Sequence, residues 1–144
     1  MKIAVSACLL GENCKYNGGN NYNEKVMEFV KGHEVIGICP ELLGGLPVPR
    51  EPAEIVDGIV RTKDGASVNE EFRHGAEAAM NIIEENDIEL VILQSRSPSC
   101  GAKKIYDGTF SGNLIVGQGV FAQMLAKRNY KTVDVSDLDK ITHQ

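Results

Sequence analysis

The sequence predicts an α/β protein: a three-layer sandwich with a mostly parallel, Rossmann-like sheet of about four strands and a small β-hairpin excursion. Three observations predict it. Short β-rich runs alternate with helical patterns along the chain, which implies right-handed crossovers between parallel strands. One run, Leu90 to Gln94, is apolar almost throughout, as strands buried on both faces are. The length of 144 residues, 42% hydrophobic and 24% charged, fits one domain over residues 1–144 with a core large enough to fold without staples. No internal repeat or linker divides it.

The elements follow in order. Lys2 to Ser6 is a first strand that gives way to a polar Gly- and Asn-containing loop, Gly11 to Asn21. Asn21 with Glu24 signals a helix start; Val26, Phe29 and Val30 supply its apolar face and Gly32 its stop. Glu34 to Ile38 is the second strand. It ends at Cys39-Pro40-Glu41, and the stretch from Pro40 to Pro52, with four prolines and two glycines, predicts an ordered loop of restricted shape. Asp57-Gly58 between two β-branched runs predicts a tight hairpin over Glu54 to Lys63. Ser67 with Glu70 forms a capping box before a long helix whose stripe is Val68, Phe72, Ala76, Ala79 and Ile83. After the strand at Leu90 to Gln94 comes Ser95-Arg96-Ser97-Pro98-Ser99-Cys100-Gly101, then a Gly-rich loop from Gly108 to Gly119. A helix around Val120 to Arg128, a short strand at Lys131 to Val135 and a polar tail complete the chain.

Fifteen Lys and Arg against 20 Asp and Glu leave a net charge of −5. An acidic chain without a basic block lacks the footprint of a duplex-binding protein, which excludes a nucleic-acid polymer but not a small nucleobase. No signal-peptide apolar segment and no membrane span are present; Val5-Ser6-Ala7-Cys8 mimics a lipoprotein cleavage box, but only Ile3 to Val5 precede it as an apolar stretch. A cytoplasmic location is expected.

Four cysteines stand at Cys8, Cys14, Cys39 and Cys100, separated by six, 25 and 61 residues, and none forms a CxxC knuckle. A chain that folds without staples in a reducing compartment has no need of disulfides. In a parallel sheet, ligands bind beyond the carboxyl ends of the strands, near the point where strand order switches. Cys8, Cys39 and Cys100 each follow a predicted strand, so they are expected at one edge of one sheet. Three thiolates there suit a soft metal or a cluster, and three ligands on a cubane leave one iron with an open position. The alternative is that each cysteine is a small buried hydrophobe. Cys14 falls mid-loop, which favours a resolving thiol or a surface residue over a fourth ligand.

Lesser signals include Gly117-Gln118-Gly119, a fragment of a phosphate loop or merely a turn. Arg50 and Lys103-Lys104 are anion contacts or solvated cations. His33, His74 and His143 show no pairing with one another or with a cysteine, and Tyr16 either stacks on a ring or packs within its loop.

Taken as a set, Ser6-Ala7-Cys8-Leu9-Leu10-Gly11, Cys14-Lys15-Tyr16-Asn17-Gly18, Cys39-Pro40-Glu41 with Gly44-Gly45-Leu46 and Pro49-Arg50, and Ser97-Pro98-Ser99-Cys100-Gly101 resemble the bacterial domain-of-unknown-function family that includes the thiouracil desulfidases. The resemblance runs over essentially the whole chain. It implies a [4Fe-4S] cluster held by Cys8, Cys39 and Cys100, and hydrolytic desulfuration of a small thiolated nucleobase such as 2-thiouracil. It implies too an acid/base carboxylate at Glu41 and a catalytic serine at Ser97. Lys15 stands where Arg is usual and Asn17 where Asp is usual. A reading from another class is a non-catalytic metal-binding or iron-sulfur protein in which Cys14 closes a four-cysteine site.

Overall fold

The computed structural model describes residues 1–141, so His143 lies outside the described residues. Four parallel strands form the central sheet: β1 (Lys2–Ser6), β2 (Glu34–Ile38), β5 (Leu90–Leu93) and β8 (Thr132–Asp134), in the order β2-β1-β5-β8. Two antiparallel hairpins stand outside it, β3 (Ala53–Val56) with β4 (Ile59–Thr62), and β6 (Lys104–Tyr106) with β7 (Leu114–Val116). The helices are α1 (Glu24–Val30), α2 (Pro40–Leu43), α3 (Asn69–Glu85) and α4 (Val120–Lys127), with 3-10 turns at Ala7–Leu10 and Val135–Lys140.

Strand side chains alternate between two cores, which makes the sandwich three-layered. Ala4, Val91 and Leu93 face one way and pack with Ala76, Ala79, Met80 and Ile83 of α3 and Phe121 and Leu125 of α4. Ile3, Val5, Leu90 and Ile92 face the other way, against Val26 and Val30 of α1 and Leu138 of the last 3-10 turn. Every residue of β5 is buried, as its unbroken apolar run predicts.

The predicted first strand, second strand, first hairpin, long helix, β5, α4 and last strand all form. Asp57 and Gly58 take φ of 50° and 80°, the two positive values that a tight primed turn requires. Other details differ. Asn23, not Asn21, caps α1, its side chain accepting from Val26 N at 3.0 Å. The Ser67–Glu70 capping box does not form: Val68 occupies the cap, while Asn69 Oδ1 accepts from Val60 N at 3.1 Å and ties α3 to the hairpin. The Pro40 stretch opens with one helical turn, which Pro40 starts because its missing N–H is unneeded there. Part of the Gly-rich stretch is strand: β7 carries Leu114, Ile115 and Val116 with all three exposed, so no buried face marks it in sequence.

Backbone meets backbone between α2 and α3. A Cβ on Gly75 would lie 1.7 Å from the Pro40 carbonyl oxygen, and one on Gly44 would lie 1.9 Å from that of Glu71. This approach fixes the position of α2, and with it Glu41. Alanine is favoured over glycine by roughly 1 kcal/mol in a helix interior, yet Gly75→Ala is expected to destabilise, by about 1–3 kcal/mol, because α2 must move to admit the methyl group. Urea unfolding reads the sign directly; a stabilised variant would refute the contact.

Candidate active site

Parallel strands leave β1 in opposite directions, the chain passing to β2 on one side and to β5 on the other, which puts a crevice at their carboxyl ends. The register aligns them, with Ser6 beside Ile38 and Val5 beside Ile92. Cys8 follows in the 3-10 turn after β1, and Cys39 directly after β2 at the cap of α2. Cys100 follows β5 by way of the Ser95–Ser99 turn. All three line one cavity of about 710 Å³, together with Glu41, Ser97 and Arg50.

The Ser97–Gly101 turn is clamped against α4. Val120 N donates to Pro98 O at 2.8 Å and Phe121 N to Ser99 O at 2.9 Å, while Gly119 N reaches Gly101 O at 2.9 Å. The first N–H groups of α4 are thus consumed by the cysteine loop, and Gly117-Gln118-Gly119 is a packing turn rather than a phosphate loop. Gly119 is needed because a Cβ there would lie 2.5 Å from the Ser99 carbonyl carbon.

Cys14 is not a surface residue beside the site. It is 4% exposed and lines the same cavity, where its thiol acts on the sulfurs of both Cys8 and Cys39. All four cysteines are free thiols. The Cys14 contact, helped by Asn21 Nδ2 donating to Cys8 Sγ at 3.4 Å, brings the Cys8 thiol down to about 7 against the opposing effect of burial. Cys39 is lowered too, by Cys14 first and by the Leu42 backbone N–H, again against burial. Cys14 itself is raised, since its proton bridges its neighbours. Burial pushes Cys100 up to about 12, despite hydrogen bonds from Ser6 and Ser99. Among the described residues, no group of three or more His, Cys, Asp or Glu is placed to hold a metal ion.

Arg50 is not a solvated cation; the anion it contacts is the chain's own Glu41. Its Nε and Nη2 grip Glu41 Oε1 at 3.2 and 3.0 Å, the two side chains being 8% and 16% exposed. The same guanidinium donates to Cys14 O at 2.9 Å and to Pro47 O at 3.1 Å, so one residue fixes the carboxylate and the Cys14 loop together. Ser99 Oγ donates to Glu41 Oε2 at 2.8 Å. Ser97 Oγ lies 2.9 Å from Ser99 Oγ and accepts from the backbone N–H groups of Ser99 and Cys100 at 3.1 and 3.0 Å. Both lone pairs of Ser97 are thereby engaged, and its hydroxyl is left to donate. The direction of the chain follows: Ser97 O–H to Ser99 O–H to the Glu41 carboxylate.

The structure brings Cys8, Cys39, Cys100, Glu41 and Ser97 to one cavity, adds Ser99 and Asn21, to which the sequence assigns no part in the site, and buries Cys14 there instead of at the surface. Asn21 reads as a cap because a polar residue before a helix has many uses. Lys103 and Lys104 stay outside the cavity, with Lys103 paired to Asp137 at 2.9 Å. His33 meets the chain's own amino terminus at 3.0 Å. Tyr16 lines the cavity and is 45% exposed.

A sequence model described as 2-thiouracil desulfurase matches residues 3–137. The chain belongs to the 2-thiouracil desulfurase family. The uncharacterized protein YbbK of Bacillus subtilis (strain 168) is 40% identical over 149 residues, covering 96% of this chain and 99% of its own. A solved structure titled as the [4Fe-4S]-dependent thiouracil desulfidase TudS (DUF523Vcz) superposes with a TM-score of 0.90 and 35% identity, over 99% of this chain and 95% of that one. The family's fold is therefore the one described above. No helix among the described residues is long and apolar enough to cross a membrane.

Proposed function

We propose that the protein is an iron-sulfur-dependent hydrolase that removes sulfur from a small thiolated heterocycle, 2-thiouracil or a close relative, at a [4Fe-4S] cluster held by Cys8, Cys39 and Cys100. The observation that carries this is the convergence of those three reduced thiols with Glu41 and Ser97 on one cavity at the sheet's carboxyl edge. The donor set fits the group, since reduced thiols ringing a cavity are the ligands an iron-sulfur cluster takes. Bound there by three cysteines, the cluster supplies an iron with a free position, a Lewis acid for the soft thiocarbonyl sulfur.

The chain's own residues do the rest. Water oxygen bonds to the ring carbon, the carbon–sulfur bond breaks, and the sulfur departs with the two protons of water as hydrogen sulfide, so no oxidant or reductant is consumed. Glu41, held by Arg50 on one oxygen, takes the proton from water at the other, Oε2. Ser97 has its lone pairs engaged by the backbone of its own turn, so it acts as a donor, and its O–H turns from Ser99 to the substrate or to the departing sulfur. Ser99 links the two. Anaerobic cluster reconstitution followed by a sulfide-release assay on 2-thiouracil tests the reading, with uracil and hydrogen sulfide expected in equal amounts. Failure to take up iron and acid-labile sulfide overturns it; a formed cluster with no sulfide release removes this substrate and leaves the cofactor.

One observation favours a second reading. Cys14 touches two of the three ligands, as a fourth ligand would, and a closed four-cysteine site would make a binding protein without a free iron position.

A further inference from the structure

The two hairpins are not needed for the sheet, yet they touch each other and both contribute to the wall of the cavity. Ala53 and Glu54 of β3, Tyr106 of β6, and Phe110 from the β6–β7 turn line it together with the cysteines. The turn carrying Phe110 is held from three directions. Glu54 Oε1 accepts from both Gly108 N at 3.0 Å and Phe110 N at 3.2 Å, two charge-assisted bonds from one carboxylate oxygen. Gly108 lies so close to β3 that a Cβ on it would sit 2.6 Å from the Ile55 carbonyl oxygen. Arg96, next to Ser97, bridges Ile105 of β6, so the second hairpin is also fastened to the cysteine loop.

Phe110 itself has φ of 57°, a left-handed conformation that a bulky side chain rarely adopts. Unusual backbone of this kind persists where its surroundings over-determine it, and it concentrates at ligand sites. Here the Glu54 carboxylate supplies the determination, and the outcome is a half-buried phenyl ring placed at the cavity instead of in a core. An aromatic ring with no polar handle recognises a planar, weakly polar face.

We infer that Phe110 is a specificity-determining residue, a wall of the cavity on which a planar heteroaromatic substrate stacks, and that Glu54 is the positioning residue that holds it there. This rests on the proposed function for the identity of the ring, but not for the wall itself. The hairpins thereby gain a role of their own, since the sheet edge supplies the chemistry and the hairpins choose the shape.

The test uses the reconstituted enzyme for kinetics and the cluster-free full chain for calorimetric binding of uracil. Phe110→Ala is expected to raise KM for 2-thiouracil about tenfold with kcat unchanged, and to weaken uracil binding by a similar factor. Phe110→Tyr keeps the ring and is expected to restore both. Glu54→Ala reproduces the Phe110→Ala shift, whereas Glu54→Gln, which retains an acceptor oxygen, shifts less. Unchanged KM and unchanged uracil binding in Phe110→Ala overturn the inference, as does a wild-type chain that binds no uracil. A folded Glu54→Ala with wild-type KM removes the role of Glu54; should that variant not fold, the half-exposed Phe110 position decides alone. A wild-type enzyme that binds uracil but releases no sulfide from 2-thiouracil defeats the proposed function while the binding comparison still decides the wall.

Discussion

Arg50→Met is expected to be both the most destabilising single change at the site and one that abolishes measurable sulfide release. The guanidinium is 8% exposed and makes four hydrogen bonds, two to Glu41 and one each to the carbonyls of Cys14 and Pro47. Removing one partner of a buried pair strands the other charge, at a cost of about 3–5 kcal/mol. Arg50→Lys does not rescue it, because an ammonium cannot reach Glu41 and two carbonyls in a fixed fork. Glu41→Gln behaves differently. It still accepts from Ser99 and leaves Arg50 its two carbonyl partners, so the fold survives while activity falls by roughly 10²–10⁴, the scale of a lost proton-transfer group. The double variant then separates the two roles: stability recovers in part because no carboxylate is stranded, and activity does not. Urea unfolding and sulfide release measured on all four proteins check this. An Arg50→Met protein within about 1 kcal/mol of wild type, the range of an exposed ion pair, would show that the pair is a surface decoration.

The sheet is legible in the sequence because its strands are unambiguous to a physical reading. Leu90 to Leu93 is buried on both faces and says so, and Asp57-Gly58 has one common use between β-branched runs. The losses share a cause, which is that tertiary contacts override local signals. Ser67 and Glu70 satisfy a capping pattern, but Asn69 is pulled to Val60 by the hairpin. Leu114 to Val116 forms a strand by pairing with Lys104 to Tyr106 and not by burying a face, and its apolar run is only three residues long between Gly-containing stretches, too short to stand out from a loop.

The site shows the same division. Strand ends are set by register, so Cys8, Cys39 and Cys100 fall together once the sheet is known. Cys14 arrives through a guanidinium 36 residues away, along the chain, donating to its carbonyl, and nothing in the spacing of the cysteines encodes that bond. Ser99 is hidden in plain view between Pro98 and Cys100. Its part follows only when Ser97 is seen to have its lone pairs occupied by the backbone of its own turn.

Cys39→Ala, Cys8→Ala and Cys100→Ala are each expected to lose the cluster and all sulfide release, while Cys14→Ala keeps a full complement of iron and acid-labile sulfide. The distinction is one of anchoring. Cys8 and Cys39 are carried by adjacent strands in fixed register, and Cys100 by a turn whose carbonyls are bound to the N-terminus of α4. Preorganised donors of this kind hold a group without ordering a loop first, and cluster binding draws on that. Cys14 instead lies on the Gly11–Asn21 loop and depends on Arg50 for its place. Its thiol packs beside Cys8 and Cys39, so its removal is expected to cost about 1 kcal/mol, the worth of an ordinary hydrogen bond, and to leave the ligands standing. Iron and sulfide assayed after anaerobic reconstitution of the four variants decide the matter. Should Cys14→Ala lose iron as severely as Cys39→Ala, the site is closed by four thiolates, no iron position is free for a thiocarbonyl sulfur, and a binding role replaces catalysis.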